Sequence, residues 1–230
     1  GLPINTSSVA SFTVNYTATD DDGGSSTSTR IVNVVDTTNP VVTAPASVNA
    51  NTDAGQSTAV VNFLDATATD NSGSATVTQT AGPASGTAFP LGATTVTWTA
   101  TDASGNTASA SMTVTVSDNE APVITAPADA SAEATGTQTS VAIGTAAATD
   151  NVAVVSITSN ALATYPVGNT TVTWTAIDAA GNSSTATQNV TVTDTTAPTI
   201  TSPSDITLEQ FAIGETTVDI GSATATDLVG

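Results

Sequence analysis

The chain repeats itself, and the repeat limits the fold more than any other feature. The run Val96-Thr97-Trp98-Thr99-Ala100-Thr101-Asp102-Ala103-Ser104-Gly105-Asn106 recurs as Val172-Thr173-Trp174-Thr175-Ala176-Ile177-Asp178-Ala179-Ala180-Gly181-Asn182, and a weaker copy runs from Val14 to Asp20. Asp36-x-x-x-Pro40 recurs at Asp118 to Pro122 and at Asp194 to Pro198. Ala-Thr-Asp ends at Asp70, Asp150 and Asp227. The period is about 80 residues, within the range of a small domain. Two complete repeats follow, 37–118 and 119–194. Residues 1–36 match the C-terminal half of a repeat, and 195–230 the N-terminal half of a further one. Both ends therefore read as cuts through a longer array.

Within a repeat the hydrophobic period is two. Val96, Trp98 and Ala100 share one face, with Thr95, Thr97 and Thr99 opposite; Met112, Val114 and Val116 alternate with Thr113 and Thr115. An earlier strand carries Val61 and Phe63, matched by Val141 and Ile143 and by Val218 and Ile220. One apolar face per strand, with Gly/Asn/Asp turns between strands, is the pattern of a two-sheet sandwich. The expected fold is all-β: tandem immunoglobulin-like β-sandwich domains in a linear array. Pro40 and Pro45, with their copies Pro122 and Pro127 and Pro198 and Pro203, bracket an edge strand, where proline is tolerated. Trp98 and Trp174 read as core anchors, and the matched Phe89 and Tyr165 as structural; Phe211 stands apart from both. Arg30 occupies the position held by Met112 and Gln188 in the full repeats, which suggests the rim of the core.

Charge narrows the partners. The chain has 20 acids, one base (Arg30) and no histidine, for a net charge of −19. Nucleic acid and anionic membrane surfaces would be repelled, and no apolar run is long enough to form a spanning helix. Cations are the favoured partners. There is no cysteine, so the small domains need another source of stability, such as ions or neighbouring repeats. Without Cys, His or Lys, neither a Ser-His-Asp nor a Cys-His centre is available. A glycosidase pair would occur once, whereas these acids recur in every repeat. The chain reads as a non-enzyme.

In this order Asp-x-x-x-Pro, Ala-Thr-Asp-Asn, Phe89-Pro-Leu-Gly92 (with Tyr165-Pro-Val-Gly168) and Val-Thr-Trp-Thr-Ala-x-Asp-x-x-Gly-Asn resemble the hyalin repeat, HYR. The resemblance covers both full and both half repeats. It implies an immunoglobulin-like fold in extracellular, often adhesive, multidomain proteins. Animal hyalin repeats usually carry cysteines; their absence points to a bacterial-type version at the cell surface.

Immunoglobulin-like strand order places three separated acids at one pole of each repeat. For the first repeat these are Asp36, Asp70 and Asp102, with Asn71 beside them. For the second they are Asp118, Asp150 and Asp178, with Asn119, Glu120 and Asn151. A third set is half visible as Asp194 and Asp227. Like charges about 4 Å apart repel by roughly 4 kcal/mol at an effective dielectric of about 20. Either the carboxylates splay into water as ordinary turn residues, or a hard cation binds. The oxygen-only donor set favours Ca2+ over transition metals.

The leading reading is an extracellular stalk or fibre of calcium-stiffened repeats, each contacting its neighbours. The alternatives are a receptor- or carbohydrate-binding adhesin module and a filament in which identical chains associate. In the last, a trailing half repeat could complete another chain's leading half by strand addition.

Overall fold

Threonine- and valine-rich segments punctuated by glycine turns form strands throughout the computed structural model, which describes residues 3–209 and 217–229. Phe211 lies outside the described residues. The chain divides into two units, Gly1–Asn119 and Glu120–Gly230.

Unit 1 opens with a hairpin, β1 (Ala10–Thr19) and β2 (Ser25–Val34), paired in unbroken antiparallel register from Ala10↔Val34 to Thr19↔Ser25. The first full repeat follows: β3 (Val41–Thr43), β4 (Val48–Asn51), β5 (Thr58–Val61), β6 (Thr67–Thr69), β7 (Ala75–Ala81), β8 (Thr87–Pro90), β9 (Gly92–Asp102) and β10 (Thr107–Ser117). One layer is a four-stranded sheet in the order β4-β10-β9-β7. The other consists of the pairs β3-β6 and β5-β8. This is the immunoglobulin-like sandwich expected from the period-two pattern. β3, between Pro40 and Pro45, pairs only with β6.

The core is the apolar face of β9 and β10 closed by β5 and β8. Trp98 is 1% exposed and meets Phe63 edge-on at 5.8 Å; Phe63 in turn meets Phe89 at 5.9 Å. Val61, Val96, Met112, Val114 and Val116 complete it. The hairpin β1–β2 has no second layer among the described residues. Tyr16, at the position of Trp98, is accordingly 53% exposed.

In unit 2 the second repeat comprises β11 (Val123–Thr125), β12 (Ala130–Glu133), β13 (Ala147–Thr149), β14 (Val154–Ser159), β15 (Gly168–Asp178) and β16 (Ser183–Thr193), with a sheet in the order β12-β16-β15-β14. A final pair, β17 (Thr199–Thr201) and β18 (Thr224–Thr226), follows. Tyr165 and Trp174 are buried against Val172, Val190 and Val192. Phe89 and Tyr165 are thus both core residues, as their matched positions imply.

Two expectations are corrected. Val141 and Ile143 do not form a strand: the ladder that β5 and β8 make in the first repeat shrinks here to one bridge, Thr139↔Tyr165. Phe63, which follows the end of β5, lies outside a strand too, as do Val218 and Ile220. In addition, Met112 and Gln188 are core residues, not rim residues; only Arg30 is exposed. Gln188 lies in the core because its polar atoms are all bonded there. The buried Gln188 amide accepts from Trp174 Nε1 at 3.2 Å and donates to the carbonyls of Ala128 at 2.6 Å and Ile143 at 2.9 Å. It thereby satisfies two carbonyls of residues that lie outside strands. In the first repeat Met112 makes no such bonds, and Trp98 Nε1 is buried without an acceptor.

Replacing Gln188 with methionine should leave the indole N–H and both carbonyls unpaired. The expected loss is about 1–3 kcal/mol, read as a shift in the denaturant midpoint of the second repeat. Met112→Gln should also destabilise the first repeat, because it buries amide N–H groups beside a Phe63 carbonyl that already accepts from Ser85 Oγ.

Candidate metal centre

The candidate centre begins as turn chemistry. β9 and β10 are joined by a tight connection that Asp102 closes on itself. Its backbone N–H donates to the Asn106 carbonyl at 3.1 Å. Its Oδ1 accepts the backbone N–H groups of Ser104 (2.9 Å) and Asn106 (2.8 Å), and its Oδ2 accepts the Asn106 amide at 2.7 Å. Gly105 supplies the left-handed turn residue at φ 89°. Asp178 and Asn182 repeat the arrangement with bonds of 2.8 Å from backbone and side chain, and Asp20 does so in part through Gly24. Burial raises the pKa of the Asp102 carboxyl, but the bonds from the Asn106 side chain and the backbone of Asn106, Ser104 and Gly105 outweigh it and hold the group below 3.8. Asp178 is lowered for the same reason, through Asn182, Gly181 and Ala180.

Strand direction then gathers the acids. β7 starts opposite the end of β9, at Ala75↔Asp102. β6 therefore ends at this upper pole with Asp70 following it, and β3 begins there, after the linker that carries Asp36. Asp36, Asp70 and Asp102 each present a carboxylate oxygen within 4.8 Å of the others. Asp36 Oδ1 accepts from Thr38 N at 3.0 Å and from the Asn71 amide at 3.3 Å. Asp70 Oδ2 accepts from Ser72 N at 2.7 Å. The other oxygens, Asp36 Oδ2 and Asp70 Oδ1, are buried with no hydrogen-bond donor. A cleft of about 140 Å3, lined by Ser7, Val9, Val34, Asp36, Asn71 and Ser72 among others, opens beside Asp36.

In unit 2, Asp150 and Asp178 approach each other in the same way. Asp150 Oδ2 accepts from Val152 N and Ala153 N, while its Oδ1 is buried without a donor. Asn151 and Glu120 are half-buried and Asn119 is exposed. Asp118, equivalent by repeat position to Asp36, follows β10 in unit 1 and accepts from Thr52 Oγ1 at 3.2 Å. Asp194 and Asp227 cap their own turns, at Thr196 N and Leu228 N, and join no three-carboxylate cluster among the described residues.

Asn106 is the residue that sequence reasoning left out of the ligand set. Its amide bridges the Asp102 carboxylate and, at 3.2 Å, the Asp36 backbone carbonyl. It ties the linker to the turn. The recurring Asp-x-x-x-Asn spacing at Asp178 and Asn182 was the available signal. Asn71 differs from the expectation in presenting its amide N–H to Asp36.

A hard divalent cation fits this donor set. Buried carboxylate oxygens without donors are costly. The two full repeats contain no Lys, Arg or His to compensate them, and all available donor atoms are oxygens.

Residues 35–116 and 117–192 each match the family model described as the HYR domain. Two curated relatives are similar over most of the chain, both called Hyalin. The protein of Strongylocentrotus purpuratus is 39% identical over 239 residues, covering 97% of this chain and 20% of that protein. That of Lytechinus variegatus is 38% identical over 227 residues, covering 92% and 42%. The chain thus spans less than half the length of either. Both are sea-urchin proteins, so the bacterial-type version inferred from the absence of cysteine has no support. Among solved structures, the protocadherin GammaB4 extracellular domain matches 87% of this chain and 41% of its own, at 16% identity and a TM-score of 0.40. Mouse cadherin-23 EC22-24 matches 80% and 74%, at 17% identity and a TM-score of 0.37.

The lowered Asp102 and Asp178 pKa values make the turns acid-sensitive. Their stabilisation is complete above the ordinary carboxyl value of 3.8 and is lost as pH falls through the lower folded-state values. In chelator, the melting temperature should drop on acidification below about pH 4. The Asp102→Ala, Asp178→Ala double variant should be less stable at neutral pH and show a shallower drop.

Proposed function

The chain belongs to the HYR domain family, and from that premise we propose that it is a segment of an extracellular structural or adhesive array whose acidic poles bind calcium. The reading rests on one observation above the others. A linker carboxylate, Asp36, sits among two loop carboxylates with two buried oxygens that lack donors. Turn formation accounts for Asp70 and Asp102 individually, but not for a linker acid meeting both.

Asp36, Asp70 and Asp102 would hold the ion in the first repeat. Asp150 and Asp178 would do so in the second, with Asp118 their counterpart by sequence. The ion would supply the positive charge that the sequence withholds. Removing it would leave like charges at close range, so the linker would be released from the loops. Calcium would thereby control the stiffness of the connection ahead of each repeat. The absence of cysteine fits this: with no disulfide, a small sandwich gains stability from whatever binds only its folded state. The Hyalin relatives support placing the chain outside the cell, in an adhesion-type repeat protein. No catalytic step enters this reading.

A thermal melt and small-angle scattering of the full chain, each with millimolar calcium and then with chelator, test it. Calcium at 100 times its dissociation constant should add about 2.7 kcal/mol to stability and lengthen the particle. Asp36→Asn with Asp70→Asn should remove the first repeat's share while the chain stays folded. No response to calcium in either measurement would leave these acids as turn formers.

A further inference from the structure

Tension along a tethered chain enters a repeat through its linker and leaves through its last strand. In the first repeat these points lie at opposite poles. β3 and β4 run away from the upper pole, and β10 runs the same way to end at Ser117. β4 and β10 are hydrogen-bonded neighbours in parallel register, Val48↔Val114 to Asn51↔Ser117. Pulling the ends therefore draws β4 one way and β10 the other. Their bonds are loaded together in shear and must yield together, whereas hairpin bonds pulled at one end yield one at a time.

The second repeat has the same device. β12 and β16 are parallel from Ala130↔Val190 to Glu133↔Thr193. We infer that the pairs β4–β10 and β12–β16 are shear clamps that bear the load on each repeat. Further bonds extend each clamp beyond its strands. Thr52 N donates to the Ser117 carbonyl at 2.9 Å, and Thr113 N to Ser47 Oγ at 3.2 Å. In the second repeat Ala134 N donates to the Thr193 carbonyl at 2.8 Å, and Asn189 N to Asp129 Oδ1 at 2.8 Å. Glu133 Oε1 accepts both Thr195 N (2.7 Å) and Thr195 Oγ1 (3.1 Å), which straps the outgoing linker to β12. The first clamp has its own strap, Thr52 Oγ1 donating to Asp118 Oδ1 at 3.2 Å. β3, held by three pairs and bracketed by prolines, is the segment to strip off first, before the clamp is engaged.

As a biological function this rests on the stalk reading; as a mechanical property it does not depend on calcium. The test is single-molecule pulling of the full chain from its two ends, in chelator, so that failure of the calcium reading leaves the outcome intact. Ala50→Pro and Ala132→Pro each remove a ladder N–H and should lower the rupture force of one repeat to about half. Val77→Ala, on β7 outside the load path, should lower the melting temperature without changing the force. Should a proline variant not fold, Glu133→Ala decides: it should weaken the second repeat alone. Unchanged forces in the folded proline variants or in Glu133→Ala, or an equal drop in Val77→Ala, would overturn the clamp.

Discussion

Each full repeat is organised around one carboxylate at the end of its Trp-bearing strand. Asp102 is 6% exposed, yet it is held as an anion by backbone and amide donors. Those bonds close the β9–β10 turn and so fix the register of the two longest strands. That register sets which side chains face inward. Through Asn106 the same network reaches the linker carbonyl at Asp36. A turn, a sheet and a junction thus depend on a single charged group, because a buried anion must collect its donors from every element nearby.

The two repeats show different solutions to one packing problem. Both place an indole at the centre of a small sandwich. The first surrounds it with Phe63 and Phe89 and leaves the N–H without an acceptor. The second replaces methionine with Gln188, which accepts from the indole and satisfies two carbonyls across the layer. The orphan indole N–H of the first repeat costs stability; the second repeat avoids that cost because its polar insertion is fully bonded. The second repeat also has a single bridge in place of the β5–β8 ladder.

The convergence of the loop acids in the candidate site is legible in the sequence. The matched positions of Asp70 and Asp102, and of Asp150 and Asp178, placed them at one pole through strand order alone. Asn106 was missed because an amide donor and an amide ligand look identical in sequence; only its bonds to Asp102 and to the Asp36 carbonyl distinguish them. Met112 and Gln188 misled for a related reason. A position that varies between Arg, Met and Gln reads as a rim, since sequence gives no sign that the Gln has partners 45 and 60 residues away.

The sequence by itself determined the repeat, the sandwich and the faces of the strands. All three follow from local periodicity: alternation of apolar and polar side chains specifies a half-buried strand wherever it occurs. Tertiary structure alone decided which oxygens are left without donors, which strands run parallel across the sheet, and which polar side chain belongs in the core. Those are properties of groups brought together from distant parts of the chain. Their cost or gain depends on burial and bonding distance, which no local pattern encodes.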